Sequence, residues 1–243
     1  MPLAHTPPTV DSDEEPLPLS EDGKAARSLI ESAYLRLRRD IIEGRHPAGE
    51  KLRVEHLKDM YQTSAGTLRE ALALLVSDSL VVSQAQRGFR VAPMSLEDLA
   101  DITRTRTLLE CEALRESIRQ GDDEWEARIV STYHRLSLAE ARLTSQVAGT
   151  FDEWEERNQA FHEALVSACS SRWILRLRAL LYQQSRRYRR ISAVRPVVLQ
   201  VVHEQHRAIY EAALSRDIER ADQVLSEHLQ LAASAIREKD LSK

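Results

Sequence analysis

Two cysteines, seven glycines and three phenylalanines are all that this chain of 243 residues carries of those types. Cys111 and Cys169 stand far apart with no C-x-x-C spacing, which argues against a disulfide or thiolate metal site and predicts two reduced, buried thiols. No apolar run approaches the roughly eighteen residues of a membrane span, and the N-terminus has no charged-then-apolar leader pattern. Neither a membrane span nor secretion is indicated, so the cytoplasm is the expected location. There is no P-loop, dinucleotide fingerprint or nucleophile elbow. His162-Glu163 and His203-Glu204 also fail as zinc-protease signatures, because Val166 and Arg207 stand where the second histidine belongs.

What is present is a chain with 42% hydrophobic residues and few glycines, a balance that suits a largely helical protein with real cores. Residues 1–23 are the exception, with five prolines, six acidic groups and no lysine or arginine. Such a composition buries too little apolar surface to fold alone, so a disordered, solvated acidic tail is expected there.

Beyond the tail, Leu29, Ala33, Leu37, Ile41 and Ile42 form a helical apolar stripe that should end at Gly44, with Pro47 just beyond it. Leu52, Leu57, Leu68, Leu72 and Leu75 then recur as anchors on two short helical stretches separated by Gln62-Thr63-Ser64. The first runs from about Arg53 to Tyr61 and the second starts near Ser64 or Thr67. Ser64 can cap backbone donors there, and Thr67-x-x-Glu70 has capping-box spacing. This is helix, tight turn, helix. Ser64, Ala65, Thr67 and Arg69 stand opposite the buried stripe, at the end of a recognition helix that meets base edges. After Leu80 the period falls to two: Val81-Val82-Ser83 and Phe89-Arg90-Val91 flank a five-residue connection ending in Gly88, which predicts a hairpin wing carrying Arg87 and Arg90. Between Lys24 and Pro93, twelve basic residues face eight acidic ones, a local excess that DNA phosphates would attract.

The series Leu52, Leu57, Ser64, Leu68-Arg69-Glu70-Ala71-Leu72, Leu80-Val81, Arg87-Gly88 and Val91 resembles the winged helix-turn-helix of the GntR family of bacterial regulators. The family's DNA-touching serine and arginine fall on Ser64 and Arg69, and its wing glycine falls on Gly88. Many members carry arginine after that serine, where this chain has Ala65. Either Arg53, Arg87 or Thr67 compensates, or the operator differs.

From Ser95 onward, breaks at Gly121-Asp122, Ala148-Gly149-Thr150, Ser170-Ser171, Arg195-Pro196 and Arg216-Asp217 leave about six helices, near 95–119, 122–146, 151–169, 172–192, 196–215 and 217–238. The fold class expected is mainly α: a winged helix-turn-helix with a small β-hairpin wing over 24–93, then an antiparallel all-α bundle over 94–243. His206 and His228 flank the 216–217 turn by similar distances, about 15–17 Å at 1.5 Å per residue, so they should meet at one level. Asn158 and His162 share a face one turn apart. Three imidazoles in a bundle core make a site for a divalent metal, although isolated histidines on helices are more often exposed or simply packed, as expected of His134 and His203.

Arg106-x-x-x-Glu110, Phe161-His162, His206 and His228-Leu229 resemble the FCD ligand-binding domain that follows the winged domain in the FadR subfamily. In metal-binding members an aspartate and three histidines hold a metal, often zinc or nickel, and the effector is commonly a small carboxylate. The resemblance places these roles on His162, His206 and His228, with Asn158 at the aspartate position. An amide offers only a neutral oxygen, so the metal should bind weakly unless an anionic effector completes its shell. The runs Gln86–Pro93 and Arg186-Arg187-Tyr188-Arg189 further resemble the carbon-starvation-induced branch, which implies glutarate or 2-hydroxyglutarate as effector. Arg106 is expected to pair with that carboxylate, with Arg187 or Tyr188 as a further donor; a solvated basic face is the competing reading of the 186–190 run.

The expectation is therefore a homodimeric regulator of double-stranded operator DNA, a repressor released by a small carboxylate, with no catalysis. Two alternatives remain: a metal-dependent enzyme with a DNA-binding-like module, and an effector-free regulator whose histidines simply pack.

Overall fold

The computed structural model describes residues 21–84, 87–145, 151–192 and 196–240. Residues 1–20, which make up most of the expected acidic tail, lie outside the described residues, as do 85–86 of the expected wing, the break at 148–150 and Arg195 of the break before Pro196. Among the described residues the protein is mainly helical, with nine helices and one small antiparallel sheet.

Helix α1 (Glu21–Ile42) begins slightly earlier than the composition implies, since Glu21, Asp22 and Gly23 already belong to it. The helix ends as expected: Gly44 takes φ 78 and donates its N–H back to the Ile41 carbonyl. Ala33, Leu37, Ile41 and Ile42 are buried against the next helices, but Leu29 is 58% exposed. The stripe continues past the end of its partner, so periodicity overestimates the covered length.

Helix α2 (Val54–Tyr61) and helix α3 (Ala65–Ser77) are joined by Gln62, which takes the left-handed conformation at φ 50. Leu68, Ala71, Leu72 and Leu75 of α3 are fully buried with Leu37 of α1 and Leu57 of α2. Leu52 is a correction, because it lies in strand β1 (Lys51–Leu52) rather than on a helix. Strands β2 (Val81–Gln84) and β3 (Gly88–Val91) form the hairpin, and β1 adds to its other side, giving the order β1-β3-β2. A two-residue strand with one buried apolar side chain carries no period of its own, so its pairing comes from the hairpin beside it. Gly88 opens β3 at φ 82, which an L side chain adopts only with strain.

The second half consists of α4 (Leu96–Gln120), α5 (Asp123–Ser145), α6 (Phe151–Leu165), α7 (Arg172–Ser192), α8 (Pro196–Leu214) and α9 (Ile218–Asp240). Helix α4 packs against α7 and α9, α9 against α8, α8 against α5, and α5 against α6. Leu114, Ile129, Leu136, Phe161, Ile209 and Leu225 fill the core between them. Cys111 and Cys169 are both buried and unpaired. No helix among the described residues is long and apolar enough to cross a membrane.

Leu72 anchors α3 with no exposed surface. Leu72→Ala is expected to destabilise the winged half by about 2–5 kcal/mol, because the transfer and cavity terms add there. Urea unfolding followed by circular dichroism measures this, and a loss below about 1 kcal/mol would mean that the neighbouring helices collapse into the gap.

Candidate DNA interface and effector cavity

Ser64 is the N-cap of α3: its Oγ accepts the Thr67 N–H at 3.1 Å and lies 2.9 Å from the Thr67 hydroxyl. The capping-box reading of Thr67 and Glu70 is therefore corrected, since Thr67 is already the third residue of the helix and is itself the capped position. Ser64 and Arg69 are exposed, while Ala65 and Thr67 are half-buried, so the open end of α3 presents a short hydroxyl pair followed by a free-standing guanidinium. Arg53 occupies the N-cap position of α2, also exposed, and makes no side-chain cap bond. On the wing, Arg87 is exposed and its N–H closes the turn onto the Gln84 carbonyl. Arg90 is drawn back instead, donating to the Gln84 side chain and to the Gly49 carbonyl. It braces the sheet rather than reaching outward.

A buried polar group ties the end of α2 to α1 and the segment that follows α1, and nothing in the sequence pattern signals it. The Tyr61 hydroxyl donates to Asp40 at 2.6 Å and lies 3.0 Å from His46 Nε2, while His46 Nδ1 faces Glu50 at 3.2 Å. Burial, with Asp40 beside it, pushes the Tyr61 hydroxyl far above its ordinary pKa, so it remains a donor.

In the bundle, α6, α8 and α9 bring His162, His206 and His228 together. The ring centroids lie 5.6 Å apart for His162–His206, 5.2 Å for His162–His228 and 4.5 Å for His206–His228. One ligand nitrogen from each lies within 4.8 Å of the others. His206 Nδ1 faces Glu140 of α5 at 2.6 Å and His228 Nδ1 faces Gln205 at 3.1 Å. A carboxylate on one ring nitrogen fixes the other as an acceptor, an arrangement common behind metal-bound histidines. His203, expected to be unremarkable, shares the same Glu140 at 2.6 Å. Burial, reinforced by the neighbouring imidazoles, holds His162 and His228 well below the ordinary histidine pKa, so both are neutral near pH 7.

Asn158 is buried one turn before His162, and its amide NH2 donates to the Tyr182 hydroxyl at 2.9 Å. That bond turns Oδ1 away from Tyr182. Asn158 Oδ1, His162 Nδ1 and His206 Nε2 are all buried without a hydrogen-bond partner. Several orphaned acceptors in one place fit a cation or a hydrogen-bond donor. Two metal–nitrogen bonds of about 2.1 Å span no more than about 4.2 Å, so small ring rotations bring the imidazoles onto one ion. The donor set therefore fits a divalent metal.

Asn158, His162 and His228 line a cavity of about 50 Å³, and His206 packs against the two imidazoles from outside its lining. At roughly 10–15 Å³ per water, this is room for a handful of waters or a short organic acid. Leu99, Trp154, Leu199, Val202 and Leu229 form its apolar wall, and Arg106, Ser185, Arg189 and Thr103 its polar wall. Arg106 donates to Glu110 at 2.8 Å and to the Ser185 hydroxyl at 2.7 Å. Glu110 is also held by Arg178 at 3.1 Å. Burial opposes the charged form of Glu110, but the Arg106 and Arg178 guanidiniums overcome it and keep the carboxyl below its ordinary pKa. Glu155 is fully buried and paired with Arg189, which also donates to Ser185 at 2.8 Å.

Arg187 and Tyr188 do not line this cavity, which corrects their assignment as effector donors. Arg187 donates to the Ala92 carbonyl at 2.6 Å, and Tyr188 donates to Asp98 at 2.6 Å while accepting the Ser95 N–H. They lie on the face of α7 that meets the linker. The basic run contains the cavity residue after all: it is Arg189, one turn beyond Ser185, at the i, i+4 spacing that the sequence displays. Glu140 carried no such signal, because its partners come from a helix more than sixty residues away.

The two halves have separate family matches: residues 29–91 match the bacterial regulatory proteins of the gntR family, and residues 101–231 match the FCD domain. A winged reading head followed by a helical ligand-binding bundle defines a transcription regulator, and the chain belongs to the GntR family, in the group that carries an FCD domain. Among its relatives is the HTH-type transcriptional regulator BphR of Paraburkholderia xenovorans strain LB400, 50% identical over 93% of this chain and 91% of its own. The HTH-type transcriptional repressor GlaR of Escherichia coli K12 is 40% identical over 81% of this chain and 90% of its own. The families and relatives are transcription regulators rather than enzymes. The fold recurs in E. coli McbR/YncC, at a TM-score of 0.72 with 19% identity over 87% of this chain and 98% of that one.

Removing Glu110 leaves two buried guanidiniums uncompensated. Glu110→Ala is therefore expected to cost about 3–5 kcal/mol. Urea unfolding tests it, and a cost near that of an ordinary surface change would show that solvent reaches the pair.

Proposed function

We propose that the protein is a homodimeric repressor that binds a two-fold-related operator and is released by a small carboxylate. The observation that carries this reading is the cavity itself: a buried Arg106, Asn158 with an orphaned oxygen, and the neutral imidazoles of His162 and His228 open onto one space in a regulator's ligand-binding domain, with His206 packed against both imidazoles. In this reading residues 24–93 contact DNA, with Ser64, Thr67 and Arg69 at base edges of the major groove, Ala65 leaving room beside them, Arg53 at the backbone, and Arg87 and Gly88 at the wing. Residues 94–243 bind effector and pair the protomers, residues 1–23 are a solvated extension, and the protein works in the cytoplasm. Asn158, His162, His206 and His228 would hold a zinc or nickel ion, which supplies a point charge for one carboxylate of the effector. Arg106 takes a carboxylate by charge-assisted hydrogen bonds, and the apolar wall suits a short methylene chain, as in glutarate or 2-hydroxyglutarate. Moving the protein from almost fully DNA-competent to almost fully released takes a differential affinity worth about 5.5 kcal/mol.

Fluorescence anisotropy on its own promoter-region DNA tests the reading. Arg69→Ala should weaken specific binding by about 1–3 kcal/mol, the worth of a bidentate base contact, and glutarate should weaken the wild type. Specific binding indifferent to glutarate discards the ligand, and absence of specific binding to any neighbouring promoter discards the regulator.

The donors contributed by Asn158, His162 and His228 carry no charge of their own, and Arg106, Arg178 and Arg189 stand nearby. Metal affinity measured by calorimetry should therefore rise about tenfold or more when glutarate is present. Asn158→Asp should bind the metal without glutarate. Equal metal affinity in all three conditions would overturn the assignment of Asn158 as a neutral ligand.

A further inference from the structure

Helix α7 carries two sets of side chains on adjacent faces. Tyr182, Ser185 and Arg189, at i, i+3 and i+7, point to the cavity and its Glu155 support. Gln184 and Arg187, three residues apart, point to the reading head, and Tyr188 beside them points to the start of α4. Gln184 Nε2 donates to the Asp78 carbonyl at 2.6 Å, and Asp78 is the C-cap of the reading helix α3. Arg187 donates to the Ala92 carbonyl, immediately after wing strand β3. Gln184 and Arg187 are both buried, so these bonds are shielded from competing water. The Asp78 side chain is itself gripped from α1, by the Tyr34 hydroxyl at 2.5 Å and by Arg38 at 3.7 Å. The end of the reading helix is thus fixed on both sides, once within its own domain and once by α7.

Residues 184 and 185 are sequential, so the contact with the reading helix and the contact with Arg106 are mounted on one peptide unit. A rigid helix transmits rotation along its length, and two carbonyl acceptors on different elements of the head convert a small rotation into a change of its angle. We propose that α7 is a common beam for reading head and cavity, in which Gln184 and Arg187 are positioning residues that set the angle of α3 and the wing, while Ser185 senses the cavity wall. This rests on the reading of α3 as the DNA-contacting helix, but its mechanical part stands apart from any effector.

The test is a distance measurement in the full chain, using pulsed electron resonance between spin labels at Met60→Cys on α2 and Leu138→Cys on α5. Both positions are exposed. The native thiols are buried with pKa values pushed up to about 11, so label goes to the introduced ones; labelled protein is diluted into unlabelled protein to isolate distances within one protomer. The wild type should give one narrow distribution. Gln184→Ala with Arg187→Met should broaden it at unchanged helical content, and Ser185→Ala, which alters only the cavity face of α7, should shift its centre. A double variant as narrow as the wild type overturns the positioning role, and an unshifted Ser185→Ala overturns the coupling to the cavity. Operator affinity is read separately. The double variant should lose about tenfold, whereas a wild type that binds no operator refutes the DNA-binding reading while leaving the distances to judge the beam.

Discussion

The bundle depends on keeping buried guanidiniums and carboxylates paired. Glu110 of α4 lies between Arg106 of its own helix and Arg178 of α7, and Glu155 of α6 is matched by Arg189 of α7. A charge taken out of water is tolerated only with a partner in good geometry, so these pairs restrict how α4, α6 and α7 can slide or rotate against one another. Leucine packing alone would leave such a bundle free to adopt neighbouring registers. The ion pairs select one, and with it the placement of Ser185 between two arginines and the direction in which Gln184 and Arg187 leave α7.

That selection produces an uneven electrostatic landscape. On one side of the cavity stand the amide of Asn158 and the imidazoles of His162 and His228, whose charged forms burial penalises. On the other are guanidiniums that remain charged because carboxylates accompany them. A negatively charged occupant would meet both sides at once: its charge is favoured near the arginines, and its oxygens would suit a cation held between the imidazoles. The cavity is small and mostly apolar, so it has room for short acids and none for large polyanions such as nucleic acid.

Much of this was legible in the chain before any coordinates. The capping serine of α3, the glycine that opens the wing, the helix breaks at Gly121-Asp122, Ser170-Ser171 and Arg216-Asp217 and the common level of His206 and His228 are local or counted features. They depend on hydrogen-bond reach, allowed φ and rise per residue. The errors have equally local explanations. Leu52 reads as a helical anchor because a two-residue strand has no period, and the capping box at Thr67 failed because the spacing rule fits two starting points and only one can be the N-cap. Glu140 was missed because an acidic residue on a helix announces nothing about which histidine it will face.

The sequence by itself determined the elements, their order and the residue types available at each face, because these follow from backbone sterics and from a helical period of about 3.6 residues. It did not determine the absolute rotation of each helix about its axis. In the run Arg186–Arg190 every residue is a plausible ligand donor by composition, yet Arg189 faces the cavity and Arg187 the reading head. Periodicity gives the angle between those side chains. Only packing against α4, α6 and the linker gives its origin, since that is fixed by contacts from residues far away in the chain whose buried charges and carbonyls must each find a partner.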